Sequence, residues 1–201
     1  MVSQNLMPIV IAGATGSGKS SLALHLALKH NGEIICADSR QCYKYMSIGS
    51  AAPSVDEQKL VPHHGYGILD PLNEKMDAGL FVKLTNSYIH DIQKRGKRPI
   101  IVGGTGLYLR SLRYGIIDLP NNNHLIRKML EEECLTLGLD KMYEKLKQID
   151  EDSALNIKTN DKMRILRALE IFLLTNKKPS LLRTNFKQAR SEEHTSELQS
   201  H

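Results

Sequence analysis

The sequence predicts an α/β fold in which a P-loop-type parallel sheet is flanked by helices, with an all-helical insertion domain after it. Short apolar runs alternate with amphipathic stretches over residues 8–117, as in βαβ units. After the turn-rich segment 118–123 the pattern becomes purely helical. A glycine-rich octapeptide joins the first apolar run to the first amphipathic stretch, and such a loop between a strand and a helix binds phosphate.

Four short apolar runs in the first part are expected to be strands. They lie at 9–12, 33–37, 66–69 and 99–102. Between the last two, apolar residues recur at helical spacing from Leu80 to Ile92, with Asp77 as the N-cap and Gly96 at the end. Four strands are few for a sheet covered on both faces, so we expect the sheet to be incomplete.

The second part is expected to hold three amphipathic helices. The first begins near Leu125 and ends at Gly138, the second includes Met142, and the third follows Asp161. The final residues are polar and resemble the translation of a sequencing-library adapter, so we expect a non-native or disordered tail. The predicted division is an incomplete core at 1–118, a helical insertion at 119–189 and the tail at 190–201.

Composition limits the class of protein. The chain has 201 residues, 41% of them hydrophobic, which is enough to bury a core, and a net charge of +5. No apolar run reaches the ~18 residues needed to span a bilayer, and the N-terminus lacks a secretion signal, so the cytoplasm is expected. Cys36, Cys42 and Cys134 lack ligand spacing, which favours small buried residues over a disulfide or zinc site.

The octapeptide after the first strand is the strongest chemical signal. Its glycines let successive backbone N–H groups face one anion, Lys19 adds a positive charge, and the Ser20 hydroxyl can hold Mg²⁺ on the phosphates. Kinases, nucleotide hydrolases and prenyl transferases can all use such a loop. The predicted phosphate-binding residues are Gly13, Ala14, Thr15, Gly16, Ser17, Gly18, Lys19 and Ser20.

Two further loops are expected at the same edge of the sheet, because ligands bind beyond the carboxyl ends of parallel strands. Asp38 follows the second strand and can bind magnesium through water, accept a proton or cap the next turn. Thr105 lies in the glycine-rich turn 103–106 after the fourth strand. Arg110 and Arg113 follow on the next helix and could reach phosphates, or lie on a solvated face.

Two other groups of polar residues are ambiguous. Adjacent side chains on an extended segment point to opposite sides, so His63 and His64 favour a packed, hydrogen-bonded loop over a metal site. Arg164 and Arg167 share one helix face, as a helix along a phosphate backbone would, although surface charge alone explains the spacing equally well.

Taken together, seven segments resemble the tRNA dimethylallyltransferase (isopentenyl-pyrophosphate transferase) family in order and spacing, over residues 8 to about 186. They are 13–20, 38–43, 48–53, 61–64, 68–71, 103–108 and 164–170. The resemblance implies a cytoplasmic monomer that moves a dimethylallyl group from dimethylallyl pyrophosphate to the exocyclic amine of the adenosine 3′ of the anticodon, with Mg²⁺. It implies tRNA, through its anticodon stem-loop, as the partner, with the helical insertion at 119–189 as a tRNA-binding part, and no membrane.

The resemblance also implies roles for individual residues. The loop 13–20 would hold the pyrophosphate, with the metal at Ser20. Asp38 would be the general base, and Thr15 and Thr105 would stabilise the leaving group or position the reacting ends. The implied tRNA contacts are Asp38, Ser39, Arg40, Gln41, Thr105, Arg127, Met163, Arg164, Ile165, Leu166 and Arg167.

The chain departs from the family pattern in several places. Ala52 stands where lysine is usual, Met163 where glutamine is usual and Gly16 where alanine is usual. Family members continue well beyond position 189, so we expect a fragment with weak activity or none. Two alternatives remain: a nucleotide or small-molecule kinase with Asp38 as the base, and a non-catalytic fragment that binds phosphate or RNA.

Overall fold

A computed structural model of the chain describes residues 6–116 and 123–183, which belong to two compact units within residues 1–116 and 117–201. The described part of the first unit contains a fully parallel sheet of four strands in the order β1-β4-β2-β3. The strands are β1 Ile9–Ala12, β2 Gly32–Cys36, β3 His63–His64 and β4 Arg98–Gly103. The predicted α/β class with a parallel sheet is confirmed.

Three predicted strands are confirmed to within one residue at either end, and the third was misplaced. The sheet is completed by His63–His64, whereas residues 66–69 lie outside it except for a single bridge between Leu69 and Tyr43. Gly65 and Gly67 have positive φ angles of 78° and 56°, which turn the chain away from the sheet after two residues. The apolar run at Ile68 and Leu69 therefore packs into the core without joining the sheet.

The helices of the first unit are α1 Lys19–Lys29, α2 Ser47–Ser50, α3 Val55–Leu60, α4 Ala78–Lys94 and α5 Gly106–Tyr114. As predicted, Asp77 caps α4, its Oδ1 accepting a 2.8 Å hydrogen bond from the N–H of Leu80, and Gly96 follows the helix with a φ of 68°. Short α2 and α3 were not predicted, because neither is long enough to show a helical period.

Helices cover both faces of the two central strands. The consecutive residues Ile34 and Ile35 of β2 point to opposite faces of the sheet and belong to different hydrophobic clusters, and each is only 1% exposed. Ala23 of α1 belongs to the cluster with Ile34, and Phe81 of α4 to the cluster with Ile35. Because β2 and β4 are buried between these layers, the loops at their carboxyl ends start from fixed positions.

A buried ion cluster lies at the amino end of β2. Glu33 is 2% exposed, and its carboxylate meets His64 Nε2 at 2.7 Å, Arg95 Nη2 at 2.7 Å and Lys97 Nζ at 3.0 Å. Burial alone would raise the pKa of the Glu33 carboxyl, but hydrogen bonds from His64, Lys97 and Arg95 hold that pKa below its usual value. His64 therefore packs and forms a hydrogen bond, as predicted, although within a strand and not a loop.

The described part of the second unit is helical: α6 His124–Leu137, α7 Leu139–Ile149, α8 Glu151–Leu155 and α9 Lys162–Thr175, with a further helical turn at 179–183. The three predicted helices are present, and five-residue α8 was missed. The core of this unit is made by Leu130, Met142, Leu146, Ile165, Leu166 and Leu169, each at most 1% exposed.

Several predictions concern residues outside the described ranges. The proposed tail at 190–201 and most of the linker 118–123 are among them. Within the described residues, none of the helices is both long and apolar enough to cross a membrane.

Candidate functional site

The loop between β1 and α1 has the backbone of an anion-binding turn. Gly16 and Gly18 have φ angles of 78° and 79°, which side-chain-bearing residues adopt only at a cost, and Gly18 is the N-cap of α1. The first helical hydrogen bond that follows runs from the N–H of Leu22 to the carbonyl of Gly18 at 3.1 Å. The amides before Leu22 have no acceptor within the helix, and such groups bind anions.

Two side chains of the loop lie close to its backbone. Lys19 Nζ donates a 2.5 Å hydrogen bond to the carbonyl of Ala14, so the ammonium group lies over the loop. A Cβ atom added to Gly13 would approach Ser17 Oγ to 2.9 Å. A side chain at position 13 would therefore crowd Ser17, and the Lys19 ammonium places one positive charge beside the amides that lack a helical acceptor.

The turn after β4 packs against both neighbouring loops. A Cβ atom on Gly103 would lie 2.1 Å from the carbonyl oxygen of Ala37, and one on Gly104 would lie 3.1 Å from the carbonyl oxygen of Gly13. The N–H of Thr105 donates to Ala37 O at 3.3 Å. The structure thus brings together the loops after β1, β2 and β4, as the parallel topology predicts.

Asp38 lies at this edge, half-buried. Its Oδ1 accepts hydrogen bonds from the N–H groups of Arg40, at 2.8 Å, and Gln41, at 3.4 Å. Asp38 therefore caps its own turn, which is one of the three interpretations left open by the sequence. Both bonds use Oδ1, and the hydrogen bonds of the described residues do not engage Oδ2. One carboxylate can cap the turn and still accept a proton.

The hydroxyl of Thr105 has a defined partner in the same turn. Its Oγ1 accepts a 2.9 Å hydrogen bond from the N–H of Ser39. This bond fixes Thr105 beside Asp38, while Thr15 lies exposed in the phosphate loop. Of the three predicted catalytic residues, Asp38 and Thr105 are thus joined through the adjacent residue Ser39.

The wall behind Asp38 is formed by residues to which the sequence analysis gave no role. A cavity of about 10 Å³ is bordered by Asp38 and by the side chains of Cys36 and Met76. The backbone of Met76 is held on both sides, because its N–H donates to Tyr43 Oη at 3.0 Å and its carbonyl accepts from Tyr108 Oη at 3.2 Å. Tyr43 ends segment 38–43 and Tyr108 ends segment 103–108, both of which carry the family resemblance. This position in the motifs was the signal from which a role for the two tyrosines could have been predicted.

Cysteine chemistry has no place at this site. Burial raises the pKa of the Cys36 thiol to about 12 and also raises the pKa of Cys42. Cys36, Cys42 and Cys134 are all buried and free, as predicted. Their role is packing.

Gln41 connects the Asp38 turn to the segment that follows α2. Its Nε2 donates to the carbonyl of Ser50 at 2.7 Å and to that of Ala51 at 2.9 Å. Ala51 has a φ of 50°, so this segment takes an unusual backbone conformation where Gln41 holds it. The amide of Gln41 therefore makes protein contacts, and its predicted contact with RNA stays a prediction.

Arg110 and Arg113 border a different surface. With Val10, Leu109 and other side chains they line an open trough of about 670 Å³ beside β1. Val10 is 53% exposed there although it lies within a strand. The interpretation of these arginines as phosphate clamps has no supporting contact in the described residues.

The predicted RNA-contacting residues of the second unit divide into exposed and buried members. Met163 is 66% exposed, and its sulfur lies 3.3 Å from Nη2 of Arg127. Ile165 and Leu166 are fully buried in the core of this unit. Their side chains do not reach the surface, so any part they take in RNA binding is to position α9.

The cations near Met163 are paired with acidic groups. Arg127 Nε lies 2.9 Å from Glu131, and Arg164 Nε lies 3.4 Å from Asp161. Arg167 Nη1 lies 3.0 Å from the buried carboxylate of Glu170, whose other oxygen accepts from the N–H of Asn123 at 2.8 Å. Met163 and Arg164 of α9 are exposed, and Arg127 of α6, whose side chain is only 19% exposed, contacts the sulfur of Met163. We call these three residues the α6–α9 patch.

The described residues contain no group of three or more His, Cys, Asp or Glu side chains that could hold a metal ion. Ser20 lies exposed in the first turn of α1, next to the phosphate loop. One hydroxyl together with phosphate oxygens suits Mg²⁺, which keeps several waters and takes few protein ligands. The residues present therefore fit a magnesium ion that arrives with a phosphate ligand.

Comparison with protein families gives two overlapping matches. A family model described as IPP transferase matches residues 41–199, and one described as isopentenyl transferase matches residues 7–62. Among curated proteins, the tRNA dimethylallyltransferase of Geobacter metallireducens is 45% identical over 169 residues, and that of Anaeromyxobacter sp. is 44% identical over 163 residues. These alignments cover 84% and 81% of this chain, but 54% of each relative. The chain thus spans about half the length of the curated relatives it matches.

Solved structures of similar sequence share the fold. A eukaryotic dimethylallyltransferase, described as acting on tRNA, superposes with a TM-score of 0.73 at 36% identity, covering 88% of this chain and 44% of that one. The Bacillus halodurans tRNA isopentenylpyrophosphate transferase gives a TM-score of 0.53 at 32% identity, covering 94% of this chain and 66% of that one.

Proposed function

Because the chain belongs to the IPP transferase family, we propose that its protein transfers a dimethylallyl group from dimethylallyl pyrophosphate to a tRNA adenosine. The acceptor is the exocyclic amine of the adenosine 3′ of the anticodon. The observation that carries this proposal is the convergence of three loops, where Thr105 Oγ1 accepts from Ser39 N at 2.9 Å and Gly104 abuts Gly13. The cytoplasmic location and monomeric state stay predictions.

The loop 13–20 holds the pyrophosphate in this proposal. Its open amides and the Lys19 ammonium offset negative charge that grows as the carbon–oxygen bond breaks, a contribution that usually dominates such catalysis. Mg²⁺, held by Ser20 and the phosphates, would add further positive charge to the leaving group. Thr15 and Thr105 position the reacting ends or stabilise the leaving group.

Asp38 serves as the general base. As the adenine nitrogen forms a bond to the allylic carbon and pyrophosphate departs, the amine becomes cationic and loses a proton to Oδ2. An adenine amine is a weak nucleophile, and a positioned carboxylate contributes a factor of roughly 10² to 10⁴. Oδ1 meanwhile keeps the turn folded through Arg40 N and Gln41 N.

The helical unit supplies RNA contacts in this proposal. The α6–α9 patch offers the exposed Arg164, and the accessible part of Arg127, to phosphates around Met163. Arg167 pairs within α9 with the buried Glu170, and Glu170 also accepts the N–H of Asn123, which joins α9 to the start of α6. The target adenosine must leave its stack to reach Asp38. Ser39, Arg40 and Gln41 are expected to surround the flipped nucleotide.

A direct test supplies both substrates to the chain. Unmodified tRNA is incubated with labelled dimethylallyl pyrophosphate and Mg²⁺, using the 201-residue chain and, in parallel, residues 1–183 joined to the remaining C-terminal part of the Geobacter metallireducens relative. Transfer of label to RNA by the joined protein supports the proposal. The amount of label that the 201-residue chain transfers shows how much activity this chain has by itself. ATP consumption without RNA, and no label in RNA, would instead support the kinase alternative.

A further inference from the structure

The segment between the Asp38 turn and α2 carries an aromatic side chain in the solvent. Tyr45 is 91% exposed, the most exposed large apolar or aromatic side chain among the described residues. Tyr43, two residues before it, is half-buried, and its hydroxyl accepts the N–H of Met76. One tyrosine of this pair supports the wall behind Asp38, and the other contributes nothing to the core.

The backbone of Tyr45 is in a conformation that disfavours its side chain. Its φ of 65° lies in the left-handed region, where a bulky residue is an outlier and glycine is preferred. Strain of this kind persists only where the surroundings enforce it, and it is concentrated at sites that bind ligands. Packing cannot explain an aromatic residue here, because the ring has almost no buried surface.

The surroundings do fix the position of Tyr45. Just before it, the N–H of Lys44 donates to the carbonyl of Leu69 at 2.9 Å. Just after it, Met46 O accepts from Ser50 N at 3.2 Å and from Ser50 Oγ at 2.7 Å. The ring is thus presented from an anchored segment.

The same segment is tied to the proposed catalytic turn. Gln41, whose N–H is bound by Asp38, holds the carbonyl of Ser50 through its side chain, so residues 41–50 form a closed loop on the turn that carries Asp38. Arg40 and Lys44 of this region are exposed and positively charged, and Met46 is 40% exposed. An exposed ring on a segment that also carries cations matches the chemistry of single-stranded nucleic acid, in which phosphates and bases alternate along the strand.

We propose that Tyr45 is a stacking platform for an unpaired base of the RNA loop that contains the reacting adenosine. This inference rests on the proposed function and names a contact within it. The ring supplies an apolar face to one base, while Lys44 and Arg40 contact the flanking phosphates. The closed loop 41–50 then places that base near the nucleotide that enters the Asp38 turn.

The chain offers a spectroscopic test because it contains no tryptophan. In Tyr45→Trp the new indole is the sole tryptophan, and its fluorescence reports directly on stacking. We expect an anticodon stem-loop RNA to quench this fluorescence and a fully paired RNA of equal length to quench it little. Lack of quenching at RNA concentrations that saturate binding would overturn the proposal.

Affinity measurements with matched variants separate stacking from charge. At one fixed salt concentration, Tyr45→Phe should bind the labelled stem-loop as the parent chain does, because the ring face is retained. Tyr45→Gly suits the backbone angle and should keep or raise the melting temperature, yet it should weaken binding about 5- to 100-fold. Equal affinity of Tyr45→Gly and the parent would contradict a stacking role.

The outcomes distinguish this inference from the proposed function. If Tyr45→Gly binds and transfers normally while Asp38 substitution abolishes transfer, only the stacking platform is wrong. If the parent chain binds neither RNA, the inference fails. Transfer activity of the joined protein then decides separately whether the proposed function stands.

Discussion

The backbone N–H of Ser39 donates a 2.9 Å hydrogen bond to Oγ1 of Thr105, which lies 66 residues further along the chain. This bond joins the turn after β2 to the turn after β4, and both turns begin at strands buried between two layers of helices. The carboxylate of Asp38 is thereby held at the edge where the phosphate loop also ends.

Removal of the Thr105 hydroxyl tests this connection. Thr105→Val keeps the shape of the side chain but leaves Ser39 N without its acceptor, whereas Thr105→Ser retains the acceptor. We expect transfer by Thr105→Val to fall about 10- to 100-fold, because a misplaced Asp38 loses catalytic geometry. Thr105→Ser should stay near the parent rate in the same single-turnover assay, and a serine variant as slow as the valine variant would contradict the role of the hydroxyl.

Close approach of two strands predicts a sharp difference between two glycines of one turn. A Cβ atom at Gly103 would meet the backbone of Ala37 at 2.1 Å, so Gly103→Ala should lower the free energy of unfolding by about 3 kcal/mol. Gly106 begins α5 with nothing within 4 Å of such an atom. Gly106→Ala should change stability by less than about 1 kcal/mol, and similar urea midpoints for both variants would refute the explanation.

Charge at the phosphate loop can be tested with inorganic pyrophosphate. Lys19→Met should weaken pyrophosphate binding about 10- to 100-fold in titration calorimetry, because a charged hydrogen bond to the anion is lost. Lys29 ends the same helix, exposed, and Lys29→Met is the matched control. A loss of affinity shared equally by both variants would point to net charge and not to the loop.

The ion cluster around Glu33 predicts a defined pH dependence. The folded-state pKa of Glu33 lies below its usual value, so the carboxylate stabilises the fold above the unfolded pKa of about 4.5. That contribution is lost as the pH falls through the lowered pKa. Glu33→Gln should lower the free energy of unfolding by about 2 kcal/mol at neutral pH.

The difference between Glu33→Gln and the parent chain should shrink as the pH falls below the unfolded pKa of about 4.5 and through the lowered folded pKa, because the parent carboxyl then becomes neutral as well. Urea unfolding across this range measures it. A difference that stays constant with pH would show that packing, and not the charge of Glu33, carries the effect.

Helices and strands whose ends depend on neighbouring residues could be predicted from the sequence, whereas those that depend on contacts with distant residues could not. Asp77 and Gly96 delimit α4 through neighbouring residues, and the capped helix appears where the sequence places it. The third strand is defined by the pairing of His63 and His64 with Ile34 and Ile35 of β2, which no apolar pattern records. Its true position therefore followed from tertiary contacts.

The site divides in the same way. Motif order places Asp38 and Thr105 at one edge of a parallel sheet, because topology alone requires it. Tyr43 and Tyr108 hydrogen-bond to the backbone of Met76, and Gln41 donates to the carbonyl of Ser50. These side chains contact other segments of the chain, and the spacing of residues in a motif does not predict such contacts. Buried Ile165 shows the same limit, since a motif does not fix which helix face packs inward.

The role of Asp38 can be tested by the rate of dimethylallyl transfer by Asp38→Asn in the joined protein. Asparagine keeps an oxygen that can accept from Arg40 N and Gln41 N, so the turn should stay folded while the base is lost. We predict a 10²- to 10⁴-fold slower single turnover with unchanged pyrophosphate affinity. Transfer at the parent rate would contradict the assignment of Asp38 as the base.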